Sequence, residues 1–145
     1  MNEKLQEIEA QLYMSELTFP LLREQLLHHG EIRAWYRYYR GGNQWAKKFY
    51  KEENVFLVDQ VIIWQQTAEN GEMNIFTLKL NEFSKIQRSY AFESKHSQKL
   101  VLSEVIATLR TMDKKSRPDV VLFKRPLAEE EGNAAGFEEF MALLD

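Results

Sequence analysis

Two apolar runs in the middle of the chain constrain its fold more than any other feature. Residues 55–86 read VFLVDQVIIWQQTAENGEMNIFTLKLNEFSKI. Val, Ile, Phe and Trp dominate both runs, and this composition is typical of β-strands. The Asn70-Gly71 pair between them accepts positive φ and predicts a hairpin, whose loop is longer than two residues because polar residues flank the pair. The return strand, 73–80, is predicted to point three side chains into the core: Phe76, Leu78 and Leu80.

Length and composition limit the class of protein. A chain of 145 residues with 44% hydrophobic residues is long enough for one domain with a real core. The absence of cysteine excludes disulfides, thiolate zinc sites and cysteine nucleophiles. The net charge of −3 excludes a uniformly basic nucleic-acid binder but leaves room for a local basic patch. The first ten residues lack the apolar region of a signal peptide, and no apolar run approaches the roughly 20 residues of a membrane span. A soluble, cytoplasmic, single-domain protein is predicted.

Residues 1–30 have the pattern of two helices. The first carries a narrow apolar stripe at three- and four-residue spacing, formed by Leu5, Ile8 and Leu12. The second is predicted to begin near Thr18, with Pro20 in its first turn, and to end at Gly30. Its predicted apolar face consists of Leu21, Leu22 and Leu26. Two interpretations stay open: both helices pack on the domain, or they form an arm for dimerisation.

Beyond residue 30 the apolar period changes to two, which indicates strands. Seven strands are predicted, at 31–40, 44–51, 55–66, 73–80, 85–92, 99–112 and 119–125. Residues 51–54 form a predicted polar turn. Residues 55–66 fit either one bent strand or two strands with a break at Asp59-Gln60.

The segment 99–112 is ambiguous between a helix and a strand, because its apolar residues fit both periods. Frequent β-branched residues and the turn-like composition of 113–118 favour a strand. The chain is predicted to finish with a helix that Asn133 caps. Four side chains on one face of that helix are expected to dock on the sheet: Phe137, Phe140, Met141 and Leu144.

Two stretches carry a resemblance to a known family: FLVDQVIIWQQ…GEMNIFTLKLNEFSKIQ, and GFEEFMALL after VVLFKRP. A seven-stranded meander followed by one amphipathic helix resembles the bacterial pleckstrin-homology-like (PH/GRAM-type) domains of unknown function. The resemblance implies an α+β fold in which two antiparallel sheets form a sandwich or partly open barrel, capped by the C-terminal helix. Residues 1–30 would be an N-terminal helical extension, and 31–145 the PH-like domain. It also implies a binding or assembly scaffold, since the fold hosts lipid, peptide and purely structural roles.

A basic and aromatic hairpin, residues 31–51, is the sharpest local feature. Its six cations, against the single acid Glu31 before Lys51, are Arg33, Arg37, Arg40, Lys47, Lys48 and Lys51. Clustered cations bind phosphate groups, and interleaved aromatic rings stack on the bases of single-stranded nucleic acid. The candidate ligand-binding residues are therefore Arg37, Arg40, Trp45, Lys47 and Lys48. The alternative interpretation is that the aromatic rings fill the core while the cations are solvated.

No motif in the sequence predicts catalysis. The H-E-x-x-H, G-x-S-x-G and P-loop patterns are absent, and His28 and His29 point about 100° apart on a helix. We therefore expect no enzymatic activity, no metal site and no cofactor. The predicted function is a non-enzymatic interaction or scaffold module that binds a partner protein or its own copies. The alternative is a binder of an anionic ligand, either a lipid headgroup or single-stranded nucleic acid, through the hairpin 31–51.

Overall fold

A computed structural model describes residues 3–11, 18–38, 50–68, 72–110, 120–126 and 134–144. These residues form three α-helices and seven β-strands, with a short 3₁₀ turn at Leu80–Glu82. In chain order the elements are α1 (Glu3–Gln11), α2 (Phe19–His29), β1 (Ile32–Tyr38), β2 (Tyr50–Val58), β3 (Val61–Ala68), β4 (Met73–Lys79), β5 (Phe83–Phe92), β6 (Leu100–Leu109), β7 (Val120–Lys124) and α3 (Ala134–Ala142).

The strands form two antiparallel sheets, each in meander order. The first sheet has the order β1-β2-β3-β4, and the second has the order β5-β6-β7. The described strands do not close into a barrel. The prediction of an α+β chain with an antiparallel meander and a terminal helix is confirmed at this level. The ambiguous segment 99–112 is a strand, because β6 pairs with β5 on one side and β7 on the other.

Two strand predictions in the first sheet were wrong at their boundaries. Residues 51–54, predicted as a polar turn, lie inside β2, whose first residue is Tyr50. Of the predicted strand 44–51, residues 44–49 lie outside the described part of the chain. Polar residues are accommodated within β2 because the sheet supplies partners across strands: the Asn54 side-chain amide donates to Gln65 Oε1 at 2.8 Å. The segment 55–66 is two strands, separated by the turn at Asp59-Gln60.

The first sheet packs on the second sheet and α3 through an inner core. Its fully buried residues come from both sheets and the helix, and include Tyr36, Leu57, Ile62, Val105, Phe123, Phe137 and Phe140. The Tyr36 ring makes edge-on contacts with Phe137 and Phe140, with ring centres 5.2 Å and 5.4 Å apart. Trp64 is buried in this core, and so are the four apolar side chains that were predicted to dock from the terminal helix. The three side chains that were predicted to point inward, Phe76, Leu78 and Leu80, pack against this core. The inward direction of the return strand and the docking of the terminal helix are confirmed.

The opposite face of the first sheet carries a second core beneath α1 and α2. The residues of this helix-side core are Leu5, Ile8, Phe19, Leu22, Leu26, Ile32, Trp35, Phe56, Val58 and Ile63. Because the sheet is covered on both faces, β2 and β3 bury side chains in both directions and read as nearly continuous apolar runs. Packing of both helices on the sheet is confirmed, whereas Leu12 lies outside the described residues.

One residue of the predicted α2 face was assigned wrongly. Phe19, Leu22 and Leu26 face the sheet, whereas Leu21 is 55% exposed. Successive helical residues point about 100° apart, so a helix that buries Leu22 at its centre turns Leu21 to its flank. The adjacent pair Leu21 and Leu22 could not show by pattern which leucine the sheet would leave uncovered.

A tight contact joins the end of α2 to the β2–β3 turn. Gly30 ends the helix with φ of +131°, and Asp59 has φ of +51°. The Glu31 N–H donates to Asp59 Oδ2 at 3.3 Å, while the Asp59 N–H donates to the Glu31 carbonyl at 2.9 Å. The φ of +131° favours glycine at position 30, and a Cβ there would lie 1.8 Å from Asp59 Oδ2 and displace the carboxylate that bonds to Glu31. The contact places the C-terminal end of α2 at this turn.

Candidate functional site

The structure places one of the five predicted ligand-binding residues. Arg37 lies in β1 opposite Asn54 and is 8% exposed, on the same face as Trp35 of the helix-side core. Arg40, Trp45, Lys47 and Lys48 lie outside the described residues. Anion binding through the hairpin 31–51 therefore stays a prediction.

A row of buried amides crosses the helix side of the first sheet beside Arg37. Asn54 and Gln65 are both fully buried, and they are paired across β2 and β3. The Gln65 amide in turn donates to Thr67 Oγ1 at 2.6 Å. Because a buried amide without a partner costs free energy, these bonds favour the observed strand register over a shifted one.

A second polar row lies on the inner side of the same sheet. The Gln66 amide donates to Glu53 Oε1 at 2.6 Å, and the Asn74 amide donates to Gln66 Oε1 at 3.1 Å. Burial raises the pKa of Glu53 above its ordinary value of 4.5, and the hydrogen bond from the Gln66 amide opposes that rise. Burial of this carboxyl near Trp64 makes stability dependent on pH.

Replacement of Glu53 by glutamine is expected to stabilise the protein at neutral pH but not at acid pH. The folded state holds the Glu53 proton more tightly than the unfolded chain does. The contribution of this group to stability therefore falls as pH rises from 4.5 through the folded-state pKa. Glu53→Gln keeps an acceptor for Gln66 and removes the charge. Urea unfolding between pH 4 and pH 8 should show a stability difference that opens as pH rises. Glu82→Gln is the matched control, because Glu82 is exposed. A stability difference for Glu53→Gln that is constant with pH would contradict a raised pKa at Glu53.

The edge of β4 is a hydrogen-bonding surface at one end of the first sheet. No other described strand pairs with β4 on the side away from β3. The Leu80 N–H donates to the Gln60 carbonyl at 3.0 Å, and hydrogen-bonded pairs alternate along an antiparallel ladder. Leu78, Phe76 and Asn74 therefore bond to β3. The backbone N–H and C=O groups of the alternate residues point away from the sheet: Met73, Ile75, Thr77 and Lys79.

This edge lacks the features that protect the other strand edges. The β1–β2 pairing has a register shift and α3 packs against β1. The β5–β6 pairing has two register shifts, and β7 is five residues long and is followed closely by Pro126. By contrast β4 pairs with β3 without any register shift, and residues 73–78 contain no charge and no proline. An edge strand with regular pairing, whose first six residues carry no charge, is competent to accept another strand.

A groove runs along the β4 edge, between this strand and α2. It has a volume of about 430 Å³ and is lined by Leu21, Glu24, Gln25, Met73, Ile75, Phe76 and Thr77. Strand alternation puts the side chains of Met73, Ile75 and Thr77 on the helix side, where Ile75 packs against the helix-side core. The exposed Leu21 is thus a wall of this β4 groove, and Glu24 is the one charged residue in its described lining.

The β4 edge and the β4 groove together form the candidate site. Three of the four residues whose backbone points outward, Met73, Ile75 and Thr77, also line the groove. An extended segment could therefore bond to the strand and place alternate side chains against Leu21 at the same time. Sequence analysis missed this site because edge position is a property of sheet order. The one usable signal was the uncharged run MNIFTL at the start of β4.

Other kinds of site find no support in the part of the chain that the structure describes. There, no group of three or more His, Cys, Asp or Glu side chains could hold a metal ion. No helix among the described residues has the length and apolar character to cross a membrane. Comparison of the sequence with protein-family models, with curated proteins and with solved structures gave no match.

Proposed function

We propose that the protein is a non-enzymatic interaction module of pleckstrin-homology-like organisation, which binds extended segments by strand addition to β4. The order of seven antiparallel strands and a terminal helix supports the PH-like part of this proposal. The observation that carries the binding function is the unpaired β4 edge beside the β4 groove.

Binding has two components in this geometry. The outward N–H and C=O groups of β4 form backbone hydrogen bonds with the incoming segment, each with a net contribution of about 0.5–1.5 kcal/mol. Alternate side chains of the segment enter the β4 groove, where Leu21 and Ile75 favour apolar groups. Glu24 favours a basic residue near one end of the segment. The preferred ligand is an extended, alternating apolar segment with a lysine or arginine.

The test uses a displayed library of random peptides and the full chain as bait. We expect enrichment of alternating apolar peptides that carry a basic residue. Thr77→Pro should reduce retention of the enriched peptides at least about tenfold, because the variant loses roughly one well-formed hydrogen bond and weakens the neighbouring ones. Thr77 is exposed and its N–H points away from β3, so proline removes no bond within the sheet.

Thr77→Val is the matched control, because it changes the same side chain and keeps the N–H. It should retain the peptides as the parent does, and circular dichroism should show the same fold for all three proteins. Retention that is equal in Thr77→Pro and Thr77→Val would refute strand addition at β4, as would a library that yields no enriched peptide with a monomeric bait.

A further inference from the structure

We propose that the segment added to β4 is β4 of a second copy of this chain, so that two copies form a symmetric dimer with one continuous sheet. This inference rests on the proposed function, since it names the occupant of the same edge and groove. Three features favour a second copy as the occupant: the side chains of β4, the register that they permit and the presence of Glu24 in the groove.

The helix-side face of β4 carries the side chains that the β4 groove selects. In chain order these are Met73, Ile75, Thr77 and Lys79. The apolar side chains of Met73 and Ile75 suit the apolar wall formed by Leu21, and the ammonium group of Lys79 suits the carboxylate of Glu24. In a two-fold pair each copy supplies both the groove and the strand that fills it.

One antiparallel register uses the whole strand. If the two-fold axis passes beside Phe76, Met73 lies opposite the partner's Lys79, and Ile75 lies opposite the partner's Thr77. All of these residues have outward backbone groups, so they form the hydrogen-bonded pairs of the new ladder. Centring the axis on Ile75 or Thr77 would leave residues at one end of β4 unpaired. The Phe76 register also brings the two Phe76 side chains together on the inner face.

The same register satisfies the charge in the groove. The C-terminal end of α2 lies at the β2–β3 turn, and so does the C-terminal end of β4, where Leu80 bonds to Gln60. The helix and the strand therefore run in the same direction, and Leu21 lies nearer than Glu24 to the Met73 end of the groove. The partner's Lys79 enters at the Met73 end of a groove whose one charged residue in the described lining is Glu24. Symmetry repeats the ion pair, which fixes the register more than it adds affinity.

The experiment is sedimentation velocity on the full chain over about a hundredfold range of concentration, since dimerisation depends on mass action. The parent and Thr77→Val should sediment as a concentration-dependent dimer, whereas Thr77→Pro should be a folded monomer. Lys79→Glu should weaken the dimer about tenfold, because the repulsion from Glu24 occurs twice. The double variant Glu24→Lys/Lys79→Glu should restore it. Lys85→Glu, on β5, is the control for the change in net charge.

The outcomes separate this inference from the proposed function. A parent that stays monomeric overturns the dimer; if the peptide library still gives ligands that Thr77→Pro loses, strand addition stands with a different protein as partner. A parent that is monomeric and retains no peptide overturns both proposals. A dimer that persists in Thr77→Pro, or that Lys79→Glu and Lys85→Glu weaken equally, uses another surface and also overturns the inference.

Discussion

Phe140→Ala is expected to destabilise the protein by about 3–5 kcal/mol, the range for truncation of a fully buried aromatic side chain. Phe140 has no exposed surface and lies at the centre of the inner core. Its ring contacts Tyr36 of the first sheet and Phe123 of the second, with centres 5.4 Å and 6.1 Å apart. Truncation removes a side chain that lies between the two sheets. Because the described strands of the two sheets share no backbone ladder, the cavity cannot close without moving one sheet.

Urea unfolding followed by tryptophan fluorescence measures this loss, because Trp64 lies in the same core. Phe92→Ala is the matched control: the chemical change is identical, but Phe92 is 62% exposed on β5. We expect the control to stay within about 0.5 kcal/mol of the parent. Equal losses at the two positions would mean that α3 does not dock between the sheets as described.

Leu22→Asp is expected to prevent stable folding at neutral pH. Leu22 is fully buried among the apolar and aromatic side chains of the helix-side core. A buried, uncompensated charge costs about 3–5 kcal/mol, and the lost apolar contact adds to it. The sum approaches the whole stability of a single domain, about 5–15 kcal/mol. Circular dichroism and thermal unfolding should show loss of the cooperative transition.

Leu27→Asp on the same helix provides the comparison, since Leu27 is 54% exposed and lies outside the β4 groove. Its transition should remain close to that of the parent. The pair also separates the two interpretations of residues 1–30. If the helices were a detachable arm for dimerisation, Leu22→Asp would change the oligomeric state and leave the unfolding transition of each copy intact.

Where local pattern and tertiary environment agreed, sequence analysis predicted the fold well. The terminal helix was recognised from four apolar side chains at helical spacing, and all four are buried. The return strand was recognised from alternation, and β6 from its β-branched composition. In each case one face of the element meets a core, so the period of the apolar residues reports the backbone geometry directly.

Predictions failed where another part of the chain changes the local preference. Residues 51–54 have the composition of a turn, yet β1 and β3 flank them and the amide network satisfies Asn54 inside the sheet. Leu21 is apolar like a core residue, yet it lies on the flank of α2 beside the edge of β4. Neither outcome is written in the neighbouring residues, because each depends on a strand or helix distant along the chain.

The sequence by itself determined which segments become strands and helices and which of their faces are apolar, since these properties follow from residue volume, branching and period within a few positions. Only the tertiary structure decided how the faces are used. Packing of α1 and α2 covers one side of the first sheet, and the order β1-β2-β3-β4 leaves β4 as an edge. The candidate site exists because sheet order leaves that backbone unpaired beside a helix, and hydrogen bonds between separate strands set this order.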